Sequence, residues 1–234
     1  MVRLEEWLCG TGFGMIHLNL SGAHKGQLNI LCLGAHSDDI EIGCGGTLLQ
    51  LRQSGTASTF NWVVFSASGR RGEEARKGAE LFTTGYETEL FLKEFRDGFL
   101  PFNAVEVKEF FEELKGRINP DLIFTHWQGD AHQDHRLISE LTWNTFRDHL
   151  ILEYEIPKYD GDMGRPNMFM PLSDASYQGK ADHLLATFRS QQTKAWFSPE
   201  TFLGLMRIRG MECNSPTGYA EGFYSRKAVL SGLD

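Results

Sequence analysis

Strand-like apolar runs alternate with helical stretches along most of this chain, and that order restricts the fold more than any other feature. Leu28 to Gly34 reads as a buried strand and Gly46 to Gln53 as the helix after it. Trp62 to Ser66 is the next strand, Gly72 to Phe82 a charged amphipathic helix, and Glu89 to Phe95 a third strand. Ala104 to Arg117 sets Val107, Phe110, Phe111 and Leu114 at helical spacing and stops before Asn119-Pro120. Asp121 to Thr125 reads as strand, Asp134 to Leu150 as helix, and Ile151 to Ile156 alternates as a half-exposed strand would. Parallel strands need a crossover, and a helix is the usual one. The order therefore predicts an α/β fold, a Rossmann-like three-layer sandwich with a mostly parallel central sheet and helices on both faces.

The remainder is less regular. Tyr159 to Pro166 is rich in Gly, Asp and Pro and reads as a loop, Ser176 to Arg189 and Pro199 to Arg209 as helices, and Tyr219 to Val229 as a final strand. With no internal repeat and 41% hydrophobic residues, residues 28–234 are expected to form one domain, and residues 1–27, of weak periodicity, an N-terminal appendage. Trp196, Phe197 and Phe202 suit either a core or a contact between copies in a homo-oligomer.

The formal charge of −8 argues against nucleic acid or anionic membrane as the main partner, since both select basic surface. No apolar stretch approaches the ~20 residues of a membrane span, so no stable membrane insertion is expected. Glu5 and Glu6 stand where a secretion signal would carry its apolar segment. Cys9, Cys32, Cys44 and Cys213 are scattered without a CxxC pair, which points to a reduced, cytoplasmic protein.

Two polar clusters interrupt this pattern, each just past a strand-like run: Ala35-His36-Ser37-Asp38-Asp39-Ile40-Glu41 and His132-Gln133-Asp134-His135. Ligands of open parallel sheets bind beyond the carboxyl ends of strands. On the loop leaving the first strand, His36 and Asp39 can both turn toward one cation, imidazole nitrogen and carboxylate oxygen being ordinary zinc ligands. His135 completes a His2Asp set with an open position, the pattern of a catalytic zinc site. Asp38 between the ligands is then free to face a solvent molecule. Each residue also has a plainer reading. His36 alone suits a hydrogen-bonded loop histidine, Asp38 or Asp39 a helix cap or turn residue, and Asp134 an anion at a helix start. His132 and His135 suit a helix surface, and His149 the end of that helix. Cys44, near the first cluster, is a further ligand candidate, although Gly43, Gly45 and Gly46 around it read as a tight turn. Convergence of the two clusters at one edge of one sheet favours the metal site.

Ala-His-Ser-Asp-Asp-Ile-Glu followed by Gly45-Gly46, with the later His-Gln-Asp-His, resembles the LmbE/PIG-L family of zinc-dependent N-acetylglucosaminyl deacetylases, whose motifs read AHPDDxE...GG and HPDH. The resemblance runs from about Leu28 to Val229 and takes in Arg71-x-x-Glu74-Ala75, Asp97-Gly98, Tyr154-Glu155, Ser190-Gln191 and Tyr219-Ala220-Glu221. It implies His36, Asp39 and His135 as metal ligands and Asp38 as general base. It implies His132 as the general acid that helps stabilise the oxyanion, with Asp134 orienting it and favouring its protonated form. Arg71 and Asp97 match positions that reach sugar hydroxyls. The plainer readings of these two are a charge on a solvated helix and a turn carboxylate. Ser37 and Gln133 replace the usual prolines, which should cost loop rigidity more than chemistry. The segment Trp127 to Ala131 lacks the Tyr of the mycothiol-pathway branch.

The function so implied is hydrolysis of the N-acetyl group of an N-acetylglucosamine-type sugar or conjugate, giving acetate and the free amine, with Zn2+ as cofactor and Fe2+ or Co2+ as alternatives for the same ligands. Two other readings share the residues. One is a metal-dependent hydrolase of another amide or ester. The other is a non-catalytic Rossmann-like binding module, although the GxGxxG phosphate cradle is missing after the first strand.

Overall fold

Successive residues of the strand Leu28–His36 alternate between two separate cores: Leu28, Ile30 and Cys32 face one, Leu31, Leu33 and Ala35 the other. A strand apolar on both faces has to be covered on both. In the computed structural model, which describes Met15, residues 17–20 and residues 27–230, helices supply that cover. The appendage expected over residues 1–27 lies almost wholly outside the described residues, as does Cys9.

The elements run β1 (Leu28–His36), α1 (Asp39–Gln53), β2 (Ala57–Ser66), α2 (Gly69–Phe82), β3 (Glu87–Leu92), α3 (Ala104–Arg117), β4 (Leu122–His126), α4 (Gln133–Thr145), β5 (Leu150–Tyr154), β6 (Met168–Pro171), α5 (Asp174–Thr187), α6 (Pro199–Glu212) and β7 (Ala220–Tyr224). A 3-10 turn, Leu100–Asn103, precedes α3. They form one sheet in the order β3-β2-β1-β4-β5-β7-β6. The first five strands are parallel, and β7 runs antiparallel to both of its neighbours. α1, α2, α5 and α6 contribute to the core on one face, α3 and α4 to that on the other. The expected three-layer α/β architecture is therefore present. Strand order reverses between β1 and β4, so the crevice of such a sheet opens beyond the carboxyl ends of these two strands.

Several local expectations are corrected. Gly43, Gly45 and Gly46 are not a tight turn but lie inside α1, which begins at Asp39. A glycine in a helix interior costs about 1 kcal/mol relative to alanine, and close packing explains why it is accepted: a Cβ at Gly43 would overlap the Tyr154 ring, at Gly45 that of Phe82, and at Gly46 the side chain of Leu172. α4 stops at Thr145, leaving His149 in the turn before β5 and not at the helix end. β5 is buried from Ile151 to Tyr154, not half-exposed, because Ile151 enters one core and Leu152 and Tyr154 the other. β6, a short half-buried edge strand ending at Pro171, had no counterpart in the sequence reading. Phe197 and Phe202 belong to the core, with Trp196 packed against it. No helix among the described residues is long and apolar enough to cross a membrane.

Candidate metal centre

β1 delivers His36 as its last residue, and the chain turns at once into α1, so the first cluster straddles a strand–helix junction with almost no loop. Asp38 occupies the N-cap position, yet its carboxylate makes no capping hydrogen bond. The plain helix-cap reading of Asp38 therefore fails, and a buried carboxylate is left for other work. Asp39 turns back, its Oδ2 accepting the His36 backbone N–H at 2.6 Å. Cys44 lies one turn further along, buried, its thiol donating to the Ile40 carbonyl, and is not a ligand.

From the other side of the reversal point, β4 and the start of α4 bring the second cluster. His36 Nδ1 lies 3.1 Å from His135 Nε2 and 3.3 Å from Asp39 Oδ2, and His135 Nε2 lies 3.5 Å from Asp39 Oδ2. Three donors bound to one ion at about 2.0–2.2 Å in tetrahedral directions stand about 3.3–3.6 Å apart, so the triangle fits a divalent cation. The outer nitrogen of each ring is held by carboxylates. His36 Nε2 is 3.0 Å from Asp97 Oδ1 and 3.3 Å from Asp134 Oδ2, and His135 Nδ1 is 2.9 Å from Asp130 Oδ2. Such partners place the ring protons outward and the lone pairs inward, as ligand histidines require.

Burial, followed by the neighbouring Asp39, pushes the Asp38 carboxyl up to about 6, against the fields of Arg71, His36 and Lys194. Burial would do the same to Asp39, but His135, His36 and His126 hold it well below the usual carboxylate range. Two adjacent carboxylates are thus driven apart, one toward taking up a proton and one toward staying charged.

His132 departs from expectation. It is the N-cap of α4, and its Nδ1 accepts the backbone N–H of Asp134 at 3.2 Å. Burial and the field of His36 lower its affinity for a proton and outweigh the opposing effect of Asp134. The Asp134 carboxylate, by contrast, is turned away from the His132 ring. It accepts N–H bonds from Gly98 at 2.8 Å and Leu100 at 3.1 Å and faces His36. A proton on Nδ1 would break that cap, so the geometry favours the tautomer with its proton on Nε2.

Arg71, on α2, and Asp97, just before Gly98, form an ion pair at the rim. Asp97 thereby joins Arg71 to His36, so neither residue is an isolated surface charge. The accompanying motifs hold the frame behind the centre. Glu221 accepts from the N–H groups of Gly46 and Thr47 and pairs with buried Lys180. Glu74 binds the backbone and hydroxyl of Ser190, and Glu155 pairs with Arg209.

Two residues at the centre escaped the sequence reading. His126 ends β4, fully buried, its ring stacked on that of His135 with centroids 3.9 Å apart. Its Nε2 lies 3.0 Å from the Ala35 amide and 3.2 Å from Asp39 Oδ2, so it buttresses both Asp39 and His135. Asp130 binds His135 through one oxygen and the His132 backbone N–H, at 2.7 Å, through the other. The available signals were positional: His126 stands at the end of β4 as His36 does at the end of β1, and Asp130 lies five residues before His135.

Comparison with known proteins bears on the family and the fold. Residues 31–146 match the PIG-L family model, described as GlcNAc-PI de-N-acetylase. No curated protein matches the chain. Among solved structures, a conserved protein from Thermus thermophilus superposes with a TM-score of 0.67 at 21% identity, over 88% of this chain and 97% of that one. The N,N'-diacetylchitobiose deacetylase of Pyrococcus horikoshii gives 0.61 at 18% identity, over 84% and 83% of the two chains. GalB, the 4-carboxy-2-hydroxymuconate hydratase of Pseudomonas putida KT2440, gives 0.63 at 18% identity, over 88% and 99%. At these identities the likeness is one of fold, and a deacetylase and a hydratase share it, so the reaction has to be argued from the site.

Proposed function

The chain belongs to the PIG-L, LmbE-like family, and on that premise we propose that it is a metal-dependent N-deacetylase acting on an N-acetylglucosamine-type amino sugar or conjugate. One observation carries the reading: His36 Nδ1, Asp39 Oδ2 and His135 Nε2 converge within 3.5 Å of one another beside a buried carboxylate, Asp38, that caps nothing. Zinc is the metal that best suits two imidazoles and a carboxylate with an open position, and iron or cobalt would accept the same donors. When bound, the metal supplies Lewis acidity to a water molecule and to the acetyl carbonyl.

The residues of the chain do the rest. Asp38 removes a proton from the attacking water as the new C–O bond forms. The Nε2–H of neutral His132 donates to the developing oxyanion, which contributes most where water is excluded. Asp38 then returns its proton to the sugar nitrogen, the C–N bond breaks, and acetate and the free amine leave. Asp134 positions His36 and the turn around Leu100 in this scheme, and Arg71 with Asp97 meets sugar hydroxyls at the rim. A binding module would have no use for an uncommitted carboxylate held beside the ligands. Residues 28–234 act as one catalytic domain, and the free, buried thiols of Cys32 and Cys44 suit a reducing, cytoplasmic setting.

The test is release of acetate from a panel of N-acetylglucosamine, its glycosides, and its nucleotide- and lipid-linked forms. Activity should disappear on chelation and return with zinc. Metal-loaded protein that releases no acetate from any of them overturns the proposal.

A further inference from the structure

The loop after β5 reaches back into the centre through a lysine. Lys158 is 9% exposed at its side chain, and its ammonium is 2.5 Å from Asp162 Oδ2, 3.0 Å from Asp130 Oδ2 and 3.5 Å from the Ile156 carbonyl. These contacts engage all three donors of the ammonium. Asp130 Oδ2 is the same atom that accepts from His135 Nδ1. Asp162 Oδ2 in turn accepts the Ala131 N–H at 2.7 Å. Residues 158 and 162 of one loop thus clamp residues 130 and 131 of another, directly behind a metal ligand. Between them, Tyr159 leaves the clamp and accepts the Ala195 N–H at 3.2 Å, tying the loop to the rim segment that carries Lys194.

Without Lys158, Asp130 and Asp162 would present two buried carboxylates to one spot, an arrangement that is costly unless a cation stands between them. With it, Asp130 is held where it can fix the His135 ring, and part of its charge is drawn away from the imidazole. Partners of ligand histidines set both ring orientation and ligand strength.

We propose that Lys158 is a positioning residue of the metal centre: through Asp130 it fixes His135, and through Asp162 it fastens the rim loop 157–166, so that metal binding and ordering of this loop are coupled. The inference rests on the metal centre proposed above. Coupling of this kind is reciprocal, so metal should protect the loop as much as the loop strengthens metal binding.

The experiment pairs two readouts that do not depend on turnover. Zinc affinity is measured by competition with a chromogenic chelator, and cleavage within residues 157–166 by limited proteolysis with and without zinc. In the unaltered protein zinc should slow cleavage of the loop. Lys158→Met should weaken zinc binding by about 10- to 100-fold and abolish the protection, while Lys158→Arg, which keeps the charge, should restore much of both. Asp162→Asn, which leaves Asp130 and His135 untouched, keeps the test alive should Lys158→Met fail to fold, and it should also lose the protection. Zinc affinity and protection in the folded variant equal to those of the unaltered protein would overturn the coupling while leaving the metal centre standing. An unaltered protein that binds no zinc would overturn the centre itself.

Discussion

The Nδ1 of His132 accepts the backbone N–H of Asp134 at 3.2 Å, a bond that a proton on Nδ1 would break. With Nδ1 committed as an acceptor, Nε2–H is left as the donor of the ring, the role proposed for it at the oxyanion. His132→Ala should lower kcat by roughly 10²- to 10³-fold, the usual cost of losing an oxyanion donor, with metal content unchanged. His132→Gln, which keeps an N–H donor, should recover part of the loss. An alkaline limb in the pH–rate profile of the unaltered enzyme that vanishes in the Gln variant would instead identify His132 as an imidazolium acid.

Asp38 sets the acid limb. Its carboxyl is pushed up to about 6 by burial and Asp39, and it has to be ionised to accept a proton, so the rate should rise with pH through its pKa. A bound divalent cation favours the ionised form, which places the limb at or below about 6. Asp38→Asn should remove the limb and most of the turnover, and a limb that persists in residual activity would point to another base.

The same shift has a cost for stability. A carboxyl whose pKa is raised on folding, here from 3.8 to about 6, destabilises the folded state as pH climbs through that window, and the penalty is complete above it. Metal-free Asp38→Asn should therefore be more stable than the metal-free parent at pH 7–8, by about 1–3 kcal/mol. Urea denaturation of the two stripped proteins at pH 5 and pH 8 measures the difference, which should shrink at the lower pH.

Much of this arrangement is legible in residue order. β1, β2 and β4 are announced by apolar runs because both of their faces are buried, and the paired clusters mark where two of those strands end. His126 is not announced, since one histidine closing an apolar run carries no local pattern; its partners, Ala35, Asp39, His135 and Tyr154, come from the β1–α1 junction, α4 and β5. The glycines of α1 mislead for a related reason. Their low helix propensity is a local property, and the approach of Tyr154, Phe82 and Leu172 that overrides it is tertiary.

That approach is itself testable. Tyr154 packs on Gly43 and donates its hydroxyl to the Leu33 carbonyl at 2.6 Å. Gly43→Ala should improve helix propensity and still destabilise the protein, by about 1–3 kcal/mol, because the added methyl overlaps the ring. A higher melting temperature in that variant would show that the packing is loose.

Asp134 separates two accounts of the second cluster. Its carboxylate holds the Gly98 and Leu100 amides and faces His36 Nε2, so Asp134→Asn should weaken metal binding by about 10- to 100-fold. Unchanged metal affinity with a shifted pH profile would return Asp134 to the role of electrostatic partner of His132.

The adjacent carboxylates Asp38 and Asp39 carry the central claim, since one is assigned as base and the other as ligand. Metal content and acetate release, measured side by side on Asp38→Ala and Asp39→Ala, test it directly. Asp38→Ala should keep about one equivalent of metal per chain and lose turnover, whereas Asp39→Ala should lose both. Metal retained by Asp39→Ala and released by Asp38→Ala would contradict the assignment and exchange the two roles.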